Sequence, residues 1–397
     1  KRRTIINKIQ ELGFSILEVP SIEEITEGKA KIENLRRIDI ENLLARDVVE
    51  PIPQLLNKGI NRKVILITGA GGSIGSEISI QIVKMKPRKL ILIDINEKNL
   101  YELINNLNKY DNSGIIKFVL GDSGDFNFMK QLISSNKVDL IFHTSAYKHV
   151  NLVENNPIQG LLNNVMSSFV ICELSSLLKV PKVILISSDK AVRPTNIMGA
   201  SKRVSEILFQ SFNNQFPGTC FSMVRFGNVL NSSGSVIPLF KKQIKNLSPI
   251  TITHPEVIRY FMTIKEASQL VIQASSLAKG GEVFLLDMGE PVKILNLAKQ
   301  MISLSGLTIK NEENPNGDIE IIFTGLRPGE KLYEELLIDD NSKVTPHPLI
   351  FKAEEKYISY DEILKLIKKL KKSLINLDLE ESLTLLKEIV PEWQRSS

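Results

Sequence analysis

The chain has 397 residues, of which 43% are hydrophobic and 24% are charged, and its formal net charge at pH 7 is +5. This length allows a sizeable core and indicates two domains or one large α/β domain with an appendage. Lys and Arg residues are dispersed among acidic ones, which disfavours a nucleic-acid-binding protein. The mild basic excess suits an anionic small substrate or the cytoplasmic face of a membrane.

Cysteine and histidine residues show no ligand spacing, so no metal site is predicted and the two cysteines fit a reducing compartment. No apolar run reaches the roughly 18 residues that span a bilayer. The sequence begins with Lys-Arg-Arg rather than Met, so we expect a soluble fragment whose upstream part was left out. Residues 1–47 contain one amphipathic helical pattern ("TIINKIQELGF") and one short strand ("SILEVPS"), and are interpreted as the remnant of a preceding domain with a linker.

Alternating strand and helix patterns fill residues 48–232, and apolar runs such as "KVILITGAG", "KLILIDI" and "VPKVILISS" are typical of buried parallel strands. Repeated βα units predict an α/β fold with a doubly wound, Rossmann-type parallel sheet. The motifs described in the next paragraphs predict that this domain, residues 48–232, binds NAD. The regular alternation of strand and helix patterns ends in residues 233–345, which are predicted to form mainly a smaller mixed α/β substrate-binding domain. Residues 346–397 are predicted to be a helical C-terminal segment, because Leu and Ile recur at helical spacing.

A glycine-rich turn, "TGAGGSIGSE", follows the first strand of this domain and opens a helix. Gly69, Gly72 and Gly75 give a GxxGxxG spacing, in which small residues let the backbone approach a pyrophosphate. The N–H groups at the helix start, around Ser73 and Ile74, would bind its negative charge. A tight strand–helix turn without a ligand is the alternative.

Acidic side chains follow the next two strands, where a dinucleotide would lie. Asp94 ends the second strand about 20 residues beyond the turn, where a carboxylate binds ribose hydroxyls and repels a 2′-phosphate. This favours NAD over NADP. Asp122 and Ser123 follow the third strand and are predicted to hold the adenine; the alternative for Asp94 is an exposed acid at a strand end.

The stretch "SSDKAVRPTNIMGASKR" follows the fifth strand. In an open parallel sheet, the carboxyl ends of the strands face the ligand crevice, so Ser188, Asp189 and Lys190 should lie in it. A salt bridge without catalytic use is the alternative for the Asp–Lys pair. Lys202 lies four residues after Met198 on the next helix and is placed to reach the nicotinamide ribose, whereas core packing is the default role of Met198.

These motifs, with "HTSAYKHV", "RFGNVLNSSGSVIPLF", "THPEVIRYFMT" and "GLRPGEKLYEEL", resemble the extended short-chain dehydrogenase/reductases of glycan biosynthesis. Within them, the sequence is most similar to the UDP-N-acetylglucosamine 4,6-dehydratases of the long, membrane-anchored form. The resemblance covers residues 35 to about 340. It implies that residues 1–47 end a preceding membrane-associated part, that the protein works at the cytoplasmic face of a bacterial inner membrane, and that it forms a homo-oligomer, a dimer or larger.

The resemblance also implies residue roles. Asp189 would be the acid, Lys190 the base at C5 of the sugar, and Ser188 the group that binds the C4 oxygen. Most members have Tyr where this chain has Met198, and a thioether cannot accept a proton. The C4 proton is therefore expected to pass through Ser188 to Lys190 or a water, which leaves Lys202 a cofactor-binding role. Which of Asp189 and Lys190 is protonated at rest stays open.

Further contacts are expected from side chains in the family-like motifs. Ala146 is assigned to the cofactor. Arg259 and Arg327 are assigned to the diphosphate of the substrate, since a guanidinium group matches phosphate geometry. Lys148 and Asn228 are assigned to other polar contacts with the UDP-sugar.

The predicted activity is an NAD-dependent 4,6-dehydratase that converts UDP-N-acetylglucosamine to its 4-keto-6-deoxy derivative with retained C5 configuration, for surface polysaccharide biosynthesis. One alternative is a nucleotide-sugar 4-epimerase on the same scaffold, which needs no acid–base pair for elimination. The other is a nucleotide-sugar-binding protein without turnover, for which Met198 is the only support.

Overall fold

The structure is a computed structural model that describes residues 49–108, 110, 114–335 and 342–395, together with the short strands β1 (Leu17–Glu18) and β2 (Arg36–Arg37). The helix predicted from "TIINKIQELGF" lies outside the described residues. The other strands are β3 Val64–Thr68, β4 Lys89–Asp94, β5 Ile116–Leu120, β6 Leu140–His143, β7 Lys182–Ile186, β8 Cys220–Arg225, β9 Asn228–Val229, β10 Ile250–Ile252, β11 Ile258–Arg259, β12 Phe261–Met262, β13 Val283–Leu286, β14 Val292–Lys293, β15 Ile309–Lys310, β16 Ile319–Phe323, β17 Ser342–Val344 and β18 Ile350–Ala353.

The α-helices are α1 Pro53–Ile60, α2 Ser73–Lys84, α3 Glu97–Leu107, α4 Phe126–Asn136, α5 Val150–Asn155, α6 Pro157–Leu161, α7 Ser167–Leu177, α8 Ile197–Gln215, α9 Val236–Lys245, α10 Ile264–Leu277, α11 Ile294–Leu304, α12 Tyr360–Ile375 and α13 Leu379–Ile389. A π-helical turn at Leu162–Met166 joins α6 to α7, and a 3₁₀ turn at Asp189–Ala191 follows β7. Helical structure therefore continues from Pro157 to Leu177 with a π-turn inside it.

Nine strands form the main sheet, in the order β17-β18-β13-β8-β7-β6-β3-β4-β5. Its strands are parallel from β13 to β5, and β18 and β17 add an antiparallel edge. All residues of β3 and β6 are buried, which explains why these strands read as continuous apolar runs. The predicted α/β fold with a doubly wound parallel sheet is confirmed.

Helix α8 is the most deeply buried helix next to the functional stretch. Its residues 197–212 are all buried, including polar ones, because it packs against β8 and the neighbouring helix α7 and is covered by α12 and α13. Those two C-terminal helices are separated where Leu377 adopts a left-handed φ of +59° and Asp378 caps α13 through the N–H of Glu381. The predicted C-terminal helical segment is thus a helical hairpin.

The described residues divide into two compact units. The larger contains residues 49–227, 264–288 and 327–395, and so includes the main sheet and the C-terminal hairpin. The smaller includes residues 228–263 and 289–326, with the three-stranded sheet β10-β16-β15 and the pairs β9/β12 and β11/β14. The domain boundaries placed at residues 47, 232 and 345 stay a prediction. Among the residues that the structure describes, no helix is long and apolar enough to cross a bilayer.

Candidate active site

The glycine-rich turn between β3 and α2 is shaped by close backbone contacts. Gly69 has a φ of +63°, and a Cβ there would lie 2.8 Å from the Cα of Ser145. A Cβ on Gly75 would lie 2.3 Å from the oxygen of Gly69. Only glycine fits both positions, so the chain enters α2 close to β3.

The first turn of α2 provides a site for an anion. Its N-cap is Gly72, which has no side chain to cap the N–H groups of Ser73 and Ile74. These N–H groups and the positive end of the helix dipole favour a phosphate. The residues predicted to bind the pyrophosphate therefore form a turn that fits a dinucleotide.

Asp94 ends β4 beside this turn and is buried. Its carboxylate accepts hydrogen bonds from the N–H of Gly71 at 2.8 Å and the N–H of Asn96 at 2.8 Å. Asp94 thus fixes the turn, and its contact with a ribose stays a prediction. Asp122 accepts a 2.7 Å hydrogen bond from the N–H of Gly124, and its neighbour Ser123 is buried.

Ser188, Asp189 and Lys190 meet because β7 ends before them. Strand alternation would separate their side chains, but β7 stops at Ile186 and the chain turns into the 3₁₀ segment. The Ser188 hydroxyl donates to Asp189 Oδ1 at 2.9 Å, and Lys190 Nζ lies 3.0 Å from the same oxygen. The structure therefore brings the three residues into one hydrogen-bonded group.

A second carboxylate contacts Lys190. Glu334 Oε1 lies 3.4 Å from Lys190 Nζ, and only 5% of the Glu334 side chain is exposed. Glu334 is not predicted from the sequence, because no spacing links it to Lys190, which is distant in the chain. Its motif, "GLRPGEKLYEEL", had been assigned a diphosphate contact through Arg327 instead.

The segment that carries Glu334 is docked onto the loop after the 3₁₀ turn. Thr195 Oγ1 and Asn196 Nδ2 donate to the oxygen of Gly329 at 2.8 and 3.0 Å. Lys331 Nζ donates to the oxygen of Val192 at 3.0 Å. The two segments are therefore held together by side-chain bonds to backbone carbonyls.

Met198 is 3% exposed and belongs to the hydrophobic core cluster. It lies in the first turn of α8, whose N-cap Asn196 accepts a 2.8 Å hydrogen bond from the N–H of Gly199. A Cβ on Gly199 would lie 2.1 Å from the oxygen of Lys190, so the helix start contacts the backbone of residues 188–190 directly.

Lys202 lies one turn further along α8 and is 6% exposed. Burial lowers the pKa of its amine to about 8, although the nearby charge of Glu206 acts in the opposite direction. His143, at the end of β6, is fully buried, and burial together with the charge of Lys202 lowers its pKa to about 3. This histidine is therefore neutral; its ring nitrogens bond Thr68 Oγ1 at 2.8 Å and Ser168 Oγ at 3.2 Å.

A buried ionic cluster contacts Ser187, which directly precedes residues 188–190. Glu206 and Arg225 are both fully buried and paired at 2.6 Å, and Arg225 also pairs with Glu355 at 2.5 Å. Burial raises the pKa of Glu206, but Arg225 and Arg203 outweigh it and lower that pKa overall. Ser187, the residue before Ser188, donates to Glu206 Oε1 at 2.6 Å.

The other predicted contacts lie in both units. Ala146 and Lys148 follow β6 in the larger unit. Partial burial lowers the pKa of the Lys148 amine. Arg327 is exposed in the same unit, and its backbone N–H donates to Glu330 Oε2 at 3.2 Å. Asn228 and Arg259 belong to the smaller unit, in β9 and β11. All of these assignments stay predictions.

The fold and the strand-end site define a Rossmann-type α/β protein with a glycine turn that suits a dinucleotide. The chain belongs to the family described as polysaccharide biosynthesis protein, which matches residues 65–355. The capsular polysaccharide biosynthesis protein CapD of Staphylococcus aureus is 48% identical over 339 residues, which are 85% of this chain and 55% of that protein. The chain therefore spans about half the length of this relative.

Two shorter relatives carry the names of enzymes. A UDP-N-acetylglucosamine 4,6-dehydratase (inverting) of Campylobacter jejuni is 32% identical over 72% of this chain and 80% of its own length. A UDP-glucose 4-epimerase of Rickettsia bellii is 34% identical over 69% of this chain and 77% of its own length. The sequence relationship therefore includes both reaction types.

Solved structures share the fold. The X-ray structure of Pen from Bacillus thuringiensis has a TM-score of 0.67 and 32% identity, over 78% of this chain and 99% of that one. DesIV, a dTDP-glucose 4,6-dehydratase from Streptomyces venezuelae with NAD and TYD bound, has a TM-score of 0.58 and 18% identity, over 69% of this chain and 88% of that one. This second likeness concerns the fold alone.

Proposed function

We propose that the protein is an NAD-dependent UDP-N-acetylglucosamine 4,6-dehydratase that retains the configuration at C5. The observation that carries this proposal is the hydrogen-bonded group of Ser188, Asp189 and Lys190 at the end of β7. Elimination of water needs an acid and a base on one sugar, and this group provides both types of side chain.

The cofactor proposal rests on the turn between β3 and α2. A dinucleotide without a 2′-phosphate fits the N–H groups of Ser73 and Ile74 and the backbone of Gly72, which has no side chain. The carboxylate of Asp94 beside the turn favours the same cofactor. Lys202 would bind the nicotinamide ribose. Bound NAD would supply the hydride acceptor for C4 and the hydride donor for C6.

The protein's own residues would move the protons. The sequence suggested that the C4 hydroxyl proton passes through Ser188 to Lys190 or a water. Because the Ser188 hydroxyl donates to Asp189, the proposed route is instead from C4 through Ser188 to Asp189, which becomes a neutral acid. With C4 oxidised to a ketone, the neutral amine of Lys190 removes the acidified C5 proton. Asp189 then protonates the 6-hydroxyl, which leaves as water, and Asp189 returns to its ionised form.

Retention at C5 follows from the use of a single base. Lys190 removes the C5 proton and returns it to the same face of the sugar, so the configuration is kept. The Campylobacter relative is named as inverting. The proposed retention at C5 therefore differs from the stereochemistry in that relative's name.

A 4-epimerase is the second candidate, favoured by the name of the Rickettsia relative. Epimerisation needs oxidation at C4 but neither proton removal at C5 nor protonation of O6. The acid–base group of Asp189 and Lys190 favours the dehydratase.

Mass spectrometry of UDP-N-acetylglucosamine incubated with the purified protein tests the proposal. A product lighter by one water is expected, and Asp189→Asn and Lys190→Met should each abolish it while leaving the circular dichroism spectrum native. A product of unchanged mass that proves to be UDP-N-acetylgalactosamine would favour the epimerase. Unchanged substrate, with NAD shown to be bound, would favour a binding protein and contradict the proposal.

We extend the proposal to the setting of the reaction. The family and its Staphylococcus relative support a role in surface polysaccharide biosynthesis. Attachment to the cytoplasmic face of a bacterial inner membrane and assembly into a homo-oligomer are further parts of it. Fractionation of membranes and light scattering of the purified full-length protein would test these two parts.

A further inference from the structure

Lys190 lies between two buried carboxylates. Its Nζ is 3.0 Å from Asp189 Oδ1 and 3.4 Å from Glu334 Oε1. The exposed fractions of the Asp189 and Glu334 side chains are 3% and 5%, while Lys190 is 20% exposed. Charges interact more strongly in such surroundings than in water. Both carboxylates therefore hold the amine and favour its ammonium form.

Glu334 is fixed in position by its segment. Gly329 accepts hydrogen bonds from the side chains of Thr195 and Asn196, and Lys331 donates to the backbone of Val192. Gly329 has a φ of +76°, and a Cβ there would lie 2.6 Å from the Cβ of Asn196. The segment therefore docks closely, and Glu334 reaches Lys190 from a fixed backbone.

We propose that Glu334 is a positioning residue for Lys190: it holds the amine beside Asp189 and sets the pH at which the amine becomes available as a base. This inference deepens the proposed dehydratase function and rests on it. Glu334 acts through Lys190 and is assigned no contact with the sugar. Without its charge, the amine would lose its proton at a lower pH.

Other charged groups in the neighbouring segments form contacts of their own. Arg193 pairs with Glu335 at 3.0 Å, and Lys331 pairs with the same carboxylate at 3.4 Å. On and beside α8, Glu154 accepts a hydrogen bond from the N–H of Ile197, and Lys202 lies near Glu206. Glu335, the neighbour of Glu334, thus pairs with other cations and provides a matched control.

Competitive labelling with acetic anhydride tests the proposal without requiring turnover. The fraction of Lys190 acetylated is measured as a function of pH by mass spectrometry of its peptide. The Glu334→Gln variant should shift the midpoint to lower pH by about one unit, because one of two adjacent carboxylates is removed. The Glu334→Asp variant keeps the carboxylate but moves it away from Lys190, because its side chain is shorter. It should shift the midpoint in the same direction by less. Glu335→Gln should leave it unchanged.

Turnover provides the second readout. The rising limb of the pH profile of kcat should move to lower pH in Glu334→Gln by the same amount as the labelling midpoint, with a native circular dichroism spectrum. An unchanged labelling midpoint in both Glu334 variants would overturn the inference. A shifted midpoint in a protein that does not dehydrate UDP-N-acetylglucosamine would refute the proposed function and leave the pairing of Glu334 with Lys190 standing.

Discussion

Ser187 donates a 2.6 Å hydrogen bond to Glu206, which ties the end of β7 to the middle of α8. Glu206 is also the partner of the fully buried Arg225. The buried ionic cluster therefore supports the backbone from which Ser188, Asp189 and Lys190 project. Removal of one charge from such a buried cluster is costly, because the charges that remain are no longer fully compensated.

The Glu206→Gln variant should lose much of the protein's stability. Removing the carboxylate leaves Arg225 with incomplete compensation in the interior, and breaking such a pair costs about 3–5 kcal/mol in the free energy of unfolding. Urea denaturation followed by circular dichroism measures this. Glu354→Gln is the control, because Glu354 forms an exposed pair with Lys343. Equal midpoints for both variants would contradict the expected role of the cluster.

Gly199→Ala should reduce turnover strongly without unfolding the protein. The new Cβ would lie 2.1 Å from the oxygen of Lys190, so residues 188–190, which are proposed to be catalytic, must move. Displacement of a positioned group by about 1 Å can cost roughly 100-fold in rate. Gly218→Ala is the control, since a Cβ there would meet no atom within 4 Å. Equal kcat values for Gly199→Ala and the wild-type protein would refute this close contact.

Met198→Leu should keep turnover within a few-fold of the wild-type protein. Met198 is 3% exposed in the core, and exchange of Met for Leu conserves volume at a cost below about 1.5 kcal/mol. A thioether carries no proton, so its loss leaves the proposed path through Ser188 intact. A kcat reduced a hundredfold, in a variant whose thermal midpoint is nearly unchanged, would show that Met198 has a chemical role.

The Lys202→Met variant should be more stable than the wild-type protein when no cofactor is bound, and the gain should depend on pH. Burial lowers the pKa of Lys202 to about 8 from its ordinary value of 10.5, so the unfolded chain binds more protons between these values. The wild-type protein therefore gains stability, relative to the variant, as the pH rises from 8 to 10.5. The advantage of the variant should be largest, at roughly 3 kcal/mol, below pH 8. Urea denaturation of both proteins at pH 7.5 and 9.5 measures this advantage. An equal difference in the free energy of unfolding at the two pH values would contradict the predicted pH dependence.

The sequence predicted the fold well because buried parallel strands have a simple local pattern. The apolar runs "KVILITGAG", "KLILIDI" and "VPKVILISS" predicted β3, β4 and β7 near their observed bounds. The antiparallel strands β17 and β18 were not predicted, because both are short and neither carries a long apolar run. The short helices α5 and α9 were also missed, since neither has a long helical period.

The candidate site was predictable where it depends on neighbouring residues. Ser188, Asp189 and Lys190 are consecutive, and only the turn that brings their side chains together had to be seen in the structure. Glu334 and the ionic cluster around Arg225 depend on contacts between distant parts of the chain. No spacing in the sequence encodes those contacts, so their roles emerged from the three-dimensional arrangement.

Nuclear magnetic resonance of the product formed from UDP-N-acetylglucosamine in deuterated water tests the central claim most directly. The account predicts a 4-keto-6-deoxy sugar in which C5 keeps its original configuration and carries deuterium wherever the proton held by Lys190 has exchanged with solvent. Recovery of UDP-N-acetylgalactosamine, or of unchanged sugar from a protein with NAD bound, would contradict the account.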